Sequence, residues 1–440
     1  MKQMRVNTIH TESSPQSTYA LMRKKKPVRL AMNLLCALIL IALFAPILAN
    51  EKPLYFSYQS QNYFPAFWDL NPFLDKNYYE LKSPNGQTEI LQLDIAEWKN
   101  LNYDYAIWCP IPYSPGKSDY ANSNFASPFG TQNRNATTKM PLRFRHILGT
   151  GVRGEDVLAG LIHGTRISLA VGIISMLIAS IIGLFLGAMS GYFGDDDFLI
   201  SRAVLGSSIA GIGLGFFYAF YVRKYEISDA FANSSFAGFV QFFVSLIYFV
   251  LLIFAFIVVG KYIQKKGLGQ KRMALPLDNI ISRIIDISTS LPTFILILSI
   301  AAITKASLIN LIFIIAFTSW TSIARLTRAE ILRIKKLDYI QAAKALGYGQ
   351  NRIIIRHALL NGIAPALVAI AFGIASTILV ESSLSFLGIG LPIETVTWGS
   401  MLSEGRSQFS AWWMTLFPGL AIFITVTLYN LLGDGLREIR

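Results

Sequence analysis

Eight apolar stretches without a charged residue dominate this sequence of 440 residues. Each is about 18 to 25 residues long, and together they cover residues 30–48, 167–190, 203–222, 236–260, 287–304, 306–324, 361–380 and 411–433. A helix of about 20 residues crosses the hydrocarbon core of a bilayer, because each residue advances the helix by about 1.5 Å. With 53% hydrophobic residues overall, the sequence predicts an all-α polytopic membrane protein.

The distribution of basic residues predicts the orientation of these spans. The formal net charge of +13 would suit nucleic acid, but the lysines and arginines cluster beside the spans, where the positive-inside rule accounts for them. Residues 1–29 form a basic tail that we expect in the cytoplasm, ahead of a first span at 30–49. The rival interpretation of that span is a cleaved signal peptide, since Leu48-Ala49-Asn50 resembles a cleavage site. We predict cytoplasmic N- and C-termini and no nucleic-acid partner.

Residues 50–165 are expected to form an extracytoplasmic loop with an interfacial segment at its end. Few long periodic stretches occur in it, which favours a small irregular or partly β structure over an enzyme domain. Its aromatic residues contact a binding protein, lie at the membrane interface or pack within the loop; they are Phe64, Phe67, Trp68, Trp98 and Trp108.

The interfacial segment leads from His146 to a second span at 166–194 and is predicted to be an interfacial helix that leads into the membrane. His146 and His163 have no partner at metal-ligand spacing, so we predict no metal site. The two cysteines, Cys36 and Cys109, imply neither a disulfide framework nor a metal centre.

A polar, basic loop at 325–360 separates two later spans, and it is the best candidate for a functional surface. Residues 338–346 predict a short helix that Gly347 and Gly349 end, and a second helical piece follows at 352–360. Ala342 and Ala343 would let a partner approach the helix backbone closely. The alternative is an ordinary amphipathic surface helix.

This loop resembles the cytoplasmic "EAA" loop through which permeases of ATP-binding-cassette (ABC) importers contact their ATPase subunits. Gln341 stands in place of the family's Glu and Leu360 in place of its Pro. The resemblance implies an ATPase-coupling role for Asp338, Gln341, Ala342, Ala343, Gly347, Arg356, His357 and Asn361.

Further motifs, in the family's order, resemble the C-type permease of dipeptide and oligopeptide (peptide/nickel) importers. They begin at His146, Glu381, Thr397 and Asn430, and the resemblance covers residues 28–50, 144–195 and 278–440. Glu381 and Ser385 lie in the second motif, where a carboxylate near a membrane segment is a candidate for translocation or gating. Structural pairing of Glu381 remains an equal alternative. Three tryptophans fit an aromatic belt at the membrane interface: Trp398, Trp412 and Trp413.

The family pattern places a helix like residues 283–292 soon after the second span, but here residues 195–277 intervene. They carry two apolar stretches, so we predict an inserted transmembrane hairpin, which leaves the sidedness of the 278–440 core unchanged. The basic residues after it fit a cytoplasmic end, and Arg223 and Lys224 on the other turn are a mild counter-signal. Pro292 is expected to be tolerated within an unbroken span at 287–304.

The resemblance implies a six-helix, MetI-like permease core in the bacterial inner membrane, forming half of a pathway for di- or oligopeptides. A homologous second permease, two ABC ATPases and an extracytoplasmic substrate-binding protein are the implied partners. No phosphate-binding Gly-x-x-x-x-Gly-Lys-Ser/Thr loop occurs, so ATP and Mg would be used by the partner ATPases and this chain would be neither an enzyme nor a cofactor carrier.

Two other hypotheses remain. A secondary transporter would carry charge pairs in mid-span or an inverted repeat, and a membrane-anchored binding or assembly protein would act through the outer loop. Nickel or another small solute remains open as the cargo.

Overall fold

A computed structural model describes residues 25–438, apart from 59–60, 70–77, 83–87, 93–97, 102, 136–137, 140 and 234. Most of the predicted basic tail therefore lies outside the described residues. The chain divides into two compact units. The first comprises Met1–Ile174, Leu367–Gly388 and Ile393–Arg440, and the second comprises Ser175–Ala366 and Ile389–Pro392.

The first unit begins with helices α1 (Lys26–Leu43) and α2 (Ala45–Leu48). Short elements follow, namely β1 (Tyr55–Tyr58), β2 (Gln61–Tyr63), α3 (Pro65–Trp68), β3 (Tyr78–Lys82), β4 (Thr88–Gln92), β5 (Tyr105–Ile107), β6 (Asn133–Asn135) and β7 (Thr138–Lys139). Strands β2, β1 and β5 form an antiparallel sheet, while β3–β4 and β6–β7 are two-stranded. Phe56 and Trp98 are buried in an aromatic cluster beside that sheet, whereas Phe64 and Phe67 are about half exposed.

Helix α4 (Val157–Phe193) is 37 residues long, or about 55 Å at 1.5 Å per residue, well beyond a hydrocarbon core of about 30 Å. Asp156 caps its start, where the carboxylate Oδ1 accepts a hydrogen bond from the Ala159 amide at 2.7 Å. No proline interrupts residues 157–193, so the helix runs on without a break. The helix that begins at Val157 thus leads directly into the second span, and an interfacial position of its first turns stays a prediction.

A two-stranded antiparallel ladder joins the two ends of the segment that is predicted to be inserted, residues 195–277. The segment contains β8 (Leu199–Ser201), α5 (Arg202–Phe216), a π-helical turn (Phe217–Val222), α6 (Lys224–Asn233), α7 (Ser235–Lys265) and β9 (Arg272–Ala274). Strand β8 pairs antiparallel with β9, and the Asp278 amide donates to the Gly194 carbonyl at 3.2 Å. The two ends of the segment thus meet.

Helices α5 and α7 pack through glycines. A Cβ added at Gly211 would lie 2.7 Å from the Phe256 Cβ, and one at Gly260 would lie 2.8 Å from the Val204 Cα. Small residues at such crossings let apolar helices approach closely in lipid, where no hydrophobic force drives association.

The positive charge of Arg223 lies in the turn between these helices and counts against an extracytoplasmic position for that turn, but it has partners close by. Arg223 pairs with Glu226 at 2.9 Å and donates to Gln241 at 2.6 Å and to the buried Ser245 at 3.0 Å. Its charge is therefore neutralised and hydrogen-bonded within the hairpin itself.

The remaining helices are α8 (Leu277–Ser290), α9 (Thr293–Ile303), α10 (Leu308–Ile334), α11 (Asp338–Ala345), α12 (Gln350–Arg352), a π-helical stretch (Ile353–Leu359), α13 (Leu360–Gly362), α14 (Ala364–Phe386), α15 (Trp398–Gly405) and α16 (Trp412–Glu438). Within the described part of the chain, seven helices are long and apolar enough to cross a membrane, or eight if the bent α8–α9 pair counts as one span.

Helices α8 and α9 meet at a bend of 78°. Leu291 between them is extended, with φ −96° and ψ 140°, because the ring of Pro292 disfavours helical geometry in the residue before it. The prediction of an unbroken span at 287–304 is therefore wrong.

The core of the first unit forms where α1, α4, α14, α15 and α16 meet. Trp398 and Trp413 are only 1% and 5% exposed, and their indole N–H groups donate to the carbonyls of Leu161 and Thr150, each at 3.1 Å. Of the three tryptophans assigned to an interface belt, only Trp412 is substantially exposed, so the assignment is wrong for the other two. A buried indole with its donor satisfied packs helices together instead.

We predict that Gly211→Leu destabilises the inserted hairpin by about 1–3 kcal/mol, because the larger side chain overlaps Phe256. Gly213→Leu is the matched control on the same helix, since nothing lies within 4 Å of a Cβ added there. Thermal unfolding of the purified protein in detergent, with limited proteolysis at the α5–α7 turn, measures the difference. Equal effects of the two substitutions would contradict this packing.

Candidate coupling surface and buried polar sites

Helix α11 begins and ends as its residue types require. Asp338 lies in its first turn, where a carboxylate interacts favourably with the helix dipole. At its other end the Gly347 amide donates to the Lys344 carbonyl at 2.9 Å and the Tyr348 amide to the Ala343 carbonyl at 3.1 Å. This pair of bonds is a Schellman motif, and Gly347 takes the positive φ of 76° that it needs.

The inner face of α11 is anchored to the ends of two long helices. Ile340 and Ala343 are 0% and 6% exposed. They belong to a cluster that also contains Ile331 and Ile334 of α10, Ala188, Tyr192 and Phe193 of α4, and Ile353, Ile354 and Ala358 of the π-helical stretch. Ala342 is exposed and Ala343 is not, so the expectation that both alanines are open to a partner is wrong for Ala343. Ala343 lies three residues after the buried Ile340 and therefore on the same face of the helix, toward the core.

The outer face of the same segment exposes large apolar side chains. Tyr339, Leu346 and Tyr348 are 41%, 72% and 38% exposed. The Arg352 guanidinium lies 4.5 Å above the ring of Tyr348, which also stacks on His357 at 5.9 Å. Exposed apolar residues rimmed by charge are typical of a protein-interaction surface.

Two other predicted residues stabilise this surface by hydrogen bonds, and a third is exposed on it. Gln341 donates from Nε2 to the Lys335 carbonyl at 2.8 Å and so satisfies an end carbonyl of α10. A glutamate carboxylate could not make that bond, because it has no hydrogen to donate. Asn361 donates to the His357 carbonyl at 2.7 Å, while Arg356 is exposed.

An ion pair near this surface was not predicted. Arg328 of α10 makes two parallel bonds to Asp278 of α8, Nε to Oδ1 at 2.5 Å and Nη2 to Oδ2 at 2.6 Å. The Ser190 hydroxyl of α4 also donates to that carboxylate. The arginines and lysines after the apolar stretch 306–324 predict only cytoplasmic positive charge; Asp278, one of two carboxylates in α8, was the available signal of a partner for Arg328.

Glu381 and Ser385 lie together in a buried polar site in the first unit. Glu381 is fully buried; its Oε2 accepts from the Ser168 hydroxyl of α4 at 2.8 Å, and its Oε1 accepts from Ser385 at 2.9 Å. Helix α15 crosses closely here, since a Cβ at Gly399 would lie 2.3 Å from the Ser382 carbonyl oxygen. The carboxylate of Glu381 thus lies where three helices meet, namely α4, α14 and α15.

A second buried cluster surrounds His146. Its Nδ1 and Nε2 lie 2.8 Å from Asp156 Oδ2 and 3.1 Å from Asp119 Oδ2, and its ring stacks on Tyr113 at 4.0 Å. Sequence spacing missed this cluster because Asp119 is 27 positions away and belongs to an irregular segment. Within the described residues, no group of three His, Cys, Asp or Glu side chains has the geometry to hold a metal ion.

The carboxylates control the protonation of His146. Burial by itself lowers the pKa of this imidazole, but hydrogen bonds to Asp119 and Asp156 favour the charged form and leave the pKa above its ordinary value of 6.5. The pKa of Asp119 is correspondingly lowered by its bonds to His146 and Asn122, which outweigh burial. Since Asp156 also caps α4, the charged cluster fixes the start of that helix.

These features define a polytopic helical membrane protein in which a short helix, α11, packs on the ends of two long helices. Residues 268–439 match the family described as "Binding-protein-dependent transport system inner membrane component". The chain is 26% identical over 403 residues to "Inner membrane ABC transporter permease protein YejE" of Escherichia coli, covering 90% of this chain and 88% of that protein.

It is also 30% identical over 322 residues to "Dipeptide transport system permease protein DppC" of Haemophilus influenzae, covering 71% of this chain and 82% of that protein. To "Glutathione transport system permease protein GsiD" of Pectobacterium atrosepticum it is 29% identical over 294 residues, with 67% and 71% covered. The chain belongs to the permease family of binding-protein-dependent ABC importers.

We predict that Gly347→Ala loosens α11 at a cost of about 1 kcal/mol, because the left-handed conformation is strained for a residue with a Cβ. Gly349→Ala is the matched control: its φ is −61°, and neither glycine has an atom within 4 Å of an added Cβ. Hydrogen exchange of the Asp338–Ala345 amides reports the difference. Equal exchange in the two variants would show that the Schellman turn does not hold this helix.

The His146 cluster predicts a pH dependence of stability. Because the folded-state pKa is raised, the stabilisation is complete below pH 6.5 and is lost as the pH rises through the raised value. His146→Gln should lower stability at pH 6 by about 3 kcal/mol, the cost of breaking a buried ion pair, and flatten the profile above it.

The measurement is the melting temperature of the purified protein between pH 5 and 9, followed by tryptophan fluorescence. His163→Gln is the control, since His163 bonds only a backbone carbonyl, that of Ala49, at 2.9 Å. An unchanged pH profile in the His146 variant would contradict the account.

Proposed function

We propose that this chain forms half of a translocation pathway for small peptides across the bacterial inner membrane, and that residues 338–361 couple it to ATPases. The observation that supports this coupling role is that the two faces of α11 differ. Its inner face is buried on the ends of α4 and α10, and its outer face exposes Tyr339 and Leu346. A partner that bound the outer face would act on both long helices through the inner one.

Because α11 is anchored on α4 and α10, a movement imposed on α11 would be passed on to these two helices and would not be lost in a flexible loop. Lys335, at the end of α10, pairs with Asp197 at 2.6 Å, and Arg328 pairs with Asp278 as described above. Packed elements of this kind change arrangement as rigid bodies. We therefore propose that ATP-driven closure of two partner ATPases displaces this segment and tilts the spans between inward- and outward-facing states. ATP and Mg would be held by those subunits.

The orientation is also a proposal. Lys25 forms an ion pair with Glu438, and a Cβ at Gly435 would lie 2.6 Å from the Val28 side chain. The start of α1 and the end of α16 therefore lie at the same end of the first unit. Together with the basic tail, this supports cytoplasmic N- and C-termini, and it supports an extracytoplasmic position for the segment between α1 and α4.

The names of the relatives support the cargo. Two of them are named for dipeptide and glutathione transport, and glutathione is itself a short peptide. We infer a di- or oligopeptide cargo, a substrate-binding protein that delivers it, and a homologous permease that supplies the other half of the pathway.

For Glu381 and Ser385 we propose a gating role. Both side chains are almost fully buried and bond each other, so cargo would not touch them in this conformation. A movement of α14 against α4 would separate Glu381 from Ser168 and expose a carboxylate to an apolar environment. That cost would favour two discrete arrangements over intermediate ones.

We predict that Ala342→Trp abolishes ATPase co-purification and peptide uptake while leaving the melting temperature near that of the unaltered protein, because Ala342 is exposed. Ala343→Trp should instead destabilise the fold by about 1–3 kcal/mol, since it overfills the buried cluster.

Ala306→Trp is the control for adding an indole to the surface, because Ala306 is also exposed and lies just before the start of α10. The measurements are ATPase recovery in mild detergent, uptake of labelled peptide and thermal unfolding. Normal uptake and ATPase recovery in the Ala342 variant would overturn the proposed coupling surface.

A further inference from the structure

A basic cleft lies where α7 ends and β9 begins, in the inserted segment. It is lined by Lys261, Gln264, Lys265, Gln270 and Arg272 and encloses about 460 Å³. The three cationic groups supply charged hydrogen-bond donors, and the two glutamine amides add neutral N–H donors besides their carbonyl oxygens, of which that of Gln264 already accepts from Ser201. The chemistry of the lining therefore matches an anionic group with several acceptor oxygens, such as a phosphate ester.

The acidic residues of the segment 195–277 do not line this cleft; they are Asp195, Asp196, Asp197, Glu226 and Asp229. Asp197 pairs with Lys335 and Glu226 with Arg223. No Asp or Glu occurs from residue 230 to residue 277, whereas Lys266 and Lys271 add further positive charge. Among the described residues, the salt bridges do not include Lys261, Lys265 or Arg272. All three are exposed.

Exposed apolar side chains lead from the cleft along one face of α7 and are called the apolar track. Phe254, Val258 and Tyr262 are 63%, 49% and 58% exposed, and their spacing of four residues places them on one face of the helix. Only 6% of the apolar window of this helix is buried within the protein. Lys261 and Lys265 follow three residues after Val258 and Tyr262, so this face turns from apolar to cationic at the cleft.

The track has the length of an acyl chain in one leaflet. From Phe254 to Lys265 a helix rises about 16 Å, close to half of a hydrocarbon core of about 30 Å. A free phosphate would use the cleft and leave the track without a role. A phospholipid would use both, with its headgroup among the lysines and its tail along the aromatic face.

The cleft is also held in shape by the fold. The Ser201 hydroxyl donates to Gln264 Oε1 at 2.9 Å, and Gln270 donates to the Gln264 carbonyl at 3.4 Å. Strand β9 carries Arg272 and is paired with β8. The cations therefore project from a helix end and a strand that are linked by hydrogen bonds.

We propose that this cleft binds the headgroup of an anionic phospholipid and that the inserted hairpin thereby carries a specific lipid site. The proposal rests on the membrane placement of α7 and on neither the coupling surface nor the cargo. A loss of coupling would leave it intact, and it can fail without affecting the coupling.

The test uses the full chain, delipidated in detergent and titrated with phosphatidylglycerol or phosphatidylcholine while native mass spectrometry counts the bound lipids. Lys261→Gln/Lys265→Gln/Arg272→Gln should weaken phosphatidylglycerol binding by about tenfold or more and leave phosphatidylcholine binding unchanged. Lys266→Gln/Lys271→Gln/Arg202→Gln is the matched control, because it removes the same charge from the same segment outside the cleft.

An equal loss in both triple variants would replace the site with diffuse surface charge and overturn the proposal. Displacement of the lipid by inorganic phosphate at the same concentration would also overturn it, since the cleft would then be a site for small anions. Retention of phosphatidylglycerol by the unaltered protein in the presence of phosphate, together with its selective loss in the first triple variant, is the expected result.

Discussion

The close crossing of α4 and α10 is the contact on which the coupling geometry depends. Gly183, Gly187 and Gly191 repeat every four residues along α4, and a Cβ at Gly187 would lie 2.5 Å from the Ala324 carbonyl oxygen. Lipid gives apolar helices no hydrophobic reason to associate, so close packing of small residues must supply the attraction. Because the two helices end together, they offer α11 one continuous apolar base.

Three ionisable side chains that are buried or partly buried in this protein are hydrogen-bonded to polar groups of neighbouring elements. Glu381, His146 and Arg328 each bind partners from at least one other element, through hydroxyls for the first and through carboxylates for the others. A buried charge without such partners would cost several kcal/mol by desolvation. These groups therefore require their neighbours to keep fixed positions, and they mark the places where helices of this protein are joined.

Much of this organisation can be predicted from sequence because it depends on local composition. Charge-free stretches give the spans, and the end of α11 follows from Gly347, since a glycine after a short polar helix is a strong stop signal. The partners of Glu381 and His146 lie 213 and 27 positions away, and no local pattern predicts them. The bend at Pro292 has a local cause, the disfavoured helical geometry of the residue before a proline, whereas the inward side of Ala343 depends on which face of α11 packs against α4 and α10.

The most direct test of the central claim is a photo-crosslinking residue at Leu346, the most exposed large apolar side chain of the coupling segment at 72%. The same residue at Ile393, which is 90% exposed in the other unit, is the control. In intact cells, position 346 should form an adduct with an ABC ATPase identified by mass spectrometry, and position 393 should not. If position 346 yields no protein adduct in the folded, membrane-inserted chain, or yields the same adducts as position 393, then α11 is not the surface that couples this permease to ATP hydrolysis.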